Sequence, residues 1–173
     1  RMVLSIIMSL SIAHLLKGAV KIIEHPTKNK PYWTHLLWAA YIFLMLIHFW
    51  WWEIHLSSIR HWLFIKYFFV VAYIIMYYVL CVLLFPDDMS EYGTFETYYF
   101  SRKNWFFVVL GLTFAIDIVD TLLKGHQYAR HLTWEYPLRN AVHMILCIIA
   151  IISYNRKFHA ILAILFILYE LSW

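Results

Sequence analysis

The chain has 173 residues, of which 64% are hydrophobic, 20% aromatic and only 14% charged, whereas a soluble domain carries about a quarter charged residues. This excludes a water-solvated fold, which would need a polar outer face that most of these segments lack. The formal net charge of +4 is spread over basic residues standing singly or in pairs, which excludes a nucleic-acid-binding surface.

A helix needs about 20 mostly apolar residues to cross about 30 Å of hydrocarbon. Six stretches meet or approach this, over 2–23, 32–55, 62–85, 105–124, 138–154 and 158–173. The first contains His14, Lys17 and Lys21 and no small-residue cleavage pattern, so it reads as a mature membrane helix and not a signal peptide. Pro26 and Pro31 bracket the connection to the second. Pro86 stops the third helix, because proline cannot continue the hydrogen-bond ladder. The connection 86–104 starts acidic and ends at Arg102 and Lys103; Tyr92, Phe95 and Tyr99 recur within it at i, i+3 and i+7, which suits either a short interfacial helix or a solvated loop. Pro137 sits where a first-turn proline opens the fifth helix. The last two helices are short and would thin the bilayer or pack tightly against longer neighbours.

Trp33, Trp50 to Trp52, Trp62, Trp105 and Trp173 lie at segment ends, as in two aromatic belts. The slight excess of basic residues on the odd connections predicts both termini outside the cytoplasm. Glycine and proline are too few to break the apolar segments midway, so continuous helices are expected, without the unwound centres of alternating-access transporters. Cys81 and Cys147 lie inside apolar runs and read as small hydrophobes.

Ionisable groups inside hydrocarbon cost about 2.5–3.5 kcal/mol each on insertion scales and therefore pair with something. His14, Lys17 and Lys21 share one face of the first helix at i, i+3 and i+7, and Asp117, Asp120 and Lys124 repeat the spacing on the fourth. Opposite charges on the two stripes predict a contact between Lys17 and Asp117 or Asp120. With His48 and Glu53, these groups would form a polar interior through which protons, ions or a small solute pass. The structural alternative is an ion pair that only holds helices together, with Lys21 and Lys124 reaching out to the interface. A third reading is a redox subunit, because His35 and His48 stand 13 residues apart, a spacing that serves two stacked b-type haems; His143 is a further candidate ligand. His48, Glu53 and His55 do not share a face suited to a metal, His126 and His131 fall in a loop, and no phosphate loop or nucleophile motif appears, so nothing argues for an enzyme.

The run from His25-Pro26 to Pro31-Tyr-Trp-Thr-His-Leu-Leu-Trp38, then Phe49-Trp-Trp-Trp-Glu53, together with Arg102-Lys103-Asn104-Trp105, resembles a group of uncharacterised small bacterial polytopic inner-membrane proteins. The resemblance spans most of the chain and implies a compact helical fold in a bacterial inner membrane. That group brings no assigned activity, so no site residue is carried over from it. The expected architecture is an all-α, six-helix transmembrane bundle forming a single domain, with lipid as its medium and self-association or a larger membrane complex as its partner.

Overall fold

The computed structural model describes residues 2–25, 31–53, 63–124 and 134–172. Among them are six helices and no strand: α1 (Met2–Glu24), α2 (Trp33–Glu53), α3 (Phe64–Leu84), α4 (Phe95–Lys124), α5 (Glu135–Ile152) and α6 (Arg156–Ser172). The first five are long and apolar enough to cross a membrane. α6, at 17 residues, spans about 26 Å at 1.5 Å per residue, short of the hydrocarbon thickness.

Helix ends follow from local chemistry. Pro86 forces the preceding residue out of the helical region, and Phe85 is extended at φ −125°, ψ 100°. The carbonyls this leaves at the end of α3 are taken by three other helices. Tyr98 O–H donates to Leu83 O at 2.8 Å, His35 Nε2–H to Leu84 O at 2.6 Å and His14 Nε2–H to Phe85 O at 2.8 Å. α6 opens at Arg156 because the Asn155 carboxamide oxygen accepts from the backbone N–H of Lys157 at 2.9 Å, an N-cap.

The fourth helix departs most from expectation. It does not begin at Trp105 after a loop or a separate interfacial helix; it runs unbroken from Phe95 for 30 residues. Gly93 turns the chain at φ +70°, and the Thr94 hydroxyl then caps the new helix by accepting from the Thr97 N–H at 3.2 Å. No glycine or proline follows until Gly111, so the polar residues 101–104 continue the helix although they lower its hydropathy. Lys103 is only 1% exposed. Its ammonium donates to Ala150 O at 3.2 Å and to Ile151 O, and lies 4.1 Å from the Tyr154 ring centre. A cation thus covers the negative end of α5.

Contacts between the helices sort their ends into two sets. At one, end I, α1, α3 and α5 finish and α2, α4 and α6 begin; the three side chains on the α3 carbonyls, Lys103 on α5, and Tyr99 against His159 of α6 at 2.9 Å all lie there. At the other, end II, Glu53 of α2 meets Lys124 of α4, and His48 of α2 meets Glu170 of α6. Between them the core is aromatic: Trp38 packs edge-to-face on Phe107 at 5.1 Å and on Phe166 at 5.4 Å, and Tyr41 on Phe166 at 5.3 Å. Trp38, Tyr41 and Phe107 are wholly buried. Leu10, Leu16, Val20, Ile75, Val108, Ile145, Ile148 and Leu165, by contrast, face outward. In water such surface would far exceed the apolar patch of an ordinary monomer, and the arrangement fits a multi-pass membrane protein.

α1 meets α3 through Gly18. A Cβ at that position would lie 2.2 Å from Cγ of Phe85, so the absent side chain lets the ring rest on the α1 backbone.

Candidate functional site

A cavity of about 70 Å³ opens inside end II. Its walls carry four carboxylates, Glu53, Asp117, Asp120 and Glu170, against two permanent cations, Lys124 and Arg139, with His48 beside them. Four of the six residues expected in a polar interior (His48, Glu53, Asp117 and Asp120) therefore lie together.

Each side chain has a defined place. Asp117 is the most fully satisfied carboxylate: its Oδ2 accepts from Tyr136 O–H at 2.8 Å, Asn140 Nδ2 at 3.0 Å and an Arg139 guanidinium nitrogen at 3.1 Å, and its Oδ1 accepts from Tyr73 O–H at 3.4 Å. Tyr136, Arg139 and Asn140 reach it from one face of α5, at i, i+3 and i+4. Deeper in, the Lys124 ammonium is shared, 2.6 Å from Asp120 Oδ2 and 3.0 Å from Glu53 Oε1. These side chains are only 3–7% exposed, whereas Asp117 keeps 26% of its side chain exposed and His48 30%, so access is from the Asp117 and His48 side. His48 Nδ1 is 2.6 Å from Glu170 Oε1. Asp120 Oδ1 and Glu53 Oε2 are both buried without a hydrogen-bond partner. Burying a carboxylate oxygen unpaired is costly, and a proton, a cation or water supplies what the protein does not.

Other expected residues lie elsewhere. Lys17 does not pair with Asp117 or Asp120; it is exposed at end I, where His14, Lys17 and Lys21 line a second cavity. The pairing fails because α1 and α4 run in opposite directions, which puts their charged C-terminal halves at opposite ends of the bundle. Nor does Lys124 reach out to the interface, since two carboxylates hold it inside. His35 spends its Nε2–H on the Leu84 carbonyl and stacks on Phe95 at 5.0 Å. His143 donates from Nδ1 to Arg139 O at 2.8 Å and packs against Phe166 at 4.4 Å. His55, His126 and His131 lie outside the described residues. Among those residues no group of three or more His, Cys, Asp or Glu side chains is set to hold a metal ion.

Sequence reasoning passed over Arg139, Glu170, Tyr73, Tyr136 and Asn140. Arg139 and Glu170 carried a usable signal, because each is a charge at the edge of an apolar run. Comparisons with protein-family models, with curated proteins and with solved structures find no match.

Proposed function

We propose that this is a six-helix multi-pass membrane protein of the bacterial inner membrane, whose end II cavity takes up and releases protons, with Glu53 and Asp120 as the exchanging groups. The observation that carries this reading is that two buried carboxylates share one ammonium while each keeps a buried oxygen with no partner. With four carboxylates against two permanent cations, the cluster has an excess of negative charge that protonation relieves at least cost.

Size favours a proton over a solute. About 70 Å³ admits a few waters, whereas pockets for small molecules measure about 300–1,000 Å³. Entry runs past His48 and Asp117. Beyond the cavity, the Tyr41 hydroxyl is buried without a hydrogen-bond partner beside the aromatic layer, so passage to end I requires that layer to admit water.

Purified protein reconstituted in liposomes with an internal pH-sensitive dye tests the reading. An imposed pH step should collapse faster with the protein than without it, independently of whether sodium or potassium is the bulk cation, and Glu53→Gln with Asp120→Asn should abolish the difference while the protein stays folded. Proton movement no faster than in empty liposomes at every pH and potential, or equal rates in wild type and the double variant, would overturn it.

A further inference from the structure

Lys17 does not pair with Asp117 or Asp120 of α4, and the cavity that the basic stripe of α1 lines instead has a chemistry of its own. The end I cavity measures about 570 Å³, within the range that holds a small organic group. One wall presents Lys17 and Lys21, one turn apart on α1; the other presents Asp87 and Asp88, which follow Pro86 at the end of α3, with Glu24 at the rim. Asp88 is partly engaged, both its oxygens accepting from Ser90 at 2.8 Å. Lys17 and Asp87 are exposed and form no ion pair among the described residues, so these two opposite charges stand on the cavity's two walls without cancelling each other.

That pattern selects the ligand. A simple anion drawn to Lys17 would face Asp87 across the cavity, and a simple cation drawn to Asp87 would face Lys17. A zwitterion with separated charges satisfies both walls. The cavity stands where α1 ends, beside the outward-facing Leu16, Val20 and Ile23, which in a membrane would lie against acyl chains. We propose that this cavity binds the headgroup of an ethanolamine phospholipid, the phosphate on Lys17 and the primary ammonium on Asp87. A primary ammonium has three N–H donors for carboxylates; a choline headgroup has none, and a glycerol headgroup has no positive charge.

The proposal rests on the membrane reading, which is scored separately by retention of the chain in membranes after an alkaline wash. Loss of the chain from washed membranes overturns both. For the headgroup itself, detergent-purified protein is titrated with phosphatidylethanolamine, phosphatidylcholine and phosphatidylglycerol of identical chains, with binding read by native mass spectrometry. Phosphatidylethanolamine should bind about tenfold more tightly than either, which is about 1.4 kcal/mol. Asp87→Asn should remove its advantage over phosphatidylcholine, and Lys17→Gln should weaken all three; both residues are exposed, and unchanged thermal melts confirm that the variants fold. Equal binding of the three lipids, or a preference that survives both substitutions in folded protein, overturns the proposal. So does equally tight binding of water-soluble glycerophosphoethanolamine, which would identify a solute site and not a lipid site.

Discussion

Replacing Gly18 with alanine tests the α1–α3 packing that shapes end I. The new methyl would stand 2.2 Å from Cγ of Phe85, and ordinary contact begins at 3.4 Å, so the ring or the helix must recede by about 1.2 Å. The atom in the way is the root of the ring, not the tip of a flexible chain, and a χ1 rotation that moved it aside would carry the whole ring out of its contacts. Phe85 is also engaged on its other sides: its carbonyl holds His14, and its ring meets His35 at 4.8 Å and Phe95 at 6.2 Å. Overpacking of this kind costs about 1–3 kcal/mol, which for a chain of this length lowers the melting temperature by about 2–12 °C. Circular-dichroism melts in a mild detergent would read the loss, and Phe85→Leu should shrink the effect of Gly18→Ala, since the two positions share one contact. A Gly18→Ala protein that melts with the wild type, or whose loss is unchanged by Phe85→Leu, would show that the ring does not rest on this helix.

Lys124→Met strands Glu53 and Asp120 without their shared cation and should cost about 3–5 kcal/mol; Glu53→Gln in the same chain should recover part of it, both read by thermal unfolding in detergent. Lys103→Met keeps the aliphatic stem but removes the donor to the Ala150 and Ile151 carbonyls, with an expected loss of about 1.5–3 kcal/mol by the same melts. Asn155→Ala removes the cap of α6 and should cost about 1 kcal/mol, read as faster amide exchange in the first turn of that helix.

Much of the helix layout is legible in the sequence because an apolar run of membrane-spanning length shows whatever it packs against. The first ten residues of α4 are not legible that way. Glu96, Ser101, Arg102, Lys103 and Asn104 depress the hydropathy of that window, although Thr94 and Thr97 form a cap and no breaker intervenes. Lys103 looks like an interfacial charge until α5 is in place, since the carbonyls and the Tyr154 ring that accept it lie about 50 residues away along the chain. In the candidate site, Glu53, Asp117, Asp120 and His48 stand out by the cost of burying ionisable groups. The same rule applies to Arg139 and Glu170, which the edges of short helices made look solvated. Tyr73, Tyr136 and Asn140 are neutral, carry no such signal, and are recognised only by the Asp117 carboxylate they surround.

That Lys17 meets neither Asp117 nor Asp120 shows what alternation of direction does to charge. In a bundle whose successive helices reverse, residues late in an odd helix and late in an even helix lie at opposite ends, however well their charges match. Trp38, Tyr41, Phe107 and Phe166 fill the space between. Neither set of charges can therefore neutralise the other, and each must be balanced where it stands. End II does so internally but incompletely, with four carboxylates around Lys124 and Arg139, and the deficit falls on Glu53 and Asp120, the two that keep an unpartnered buried oxygen. End I keeps Lys17 and Asp87 on opposite walls of a cavity about eight times larger, where balance is available from a molecule outside the chain. The same constraint thus yields two kinds of site: a small one that a proton can complete, and a larger one that a charged headgroup can complete.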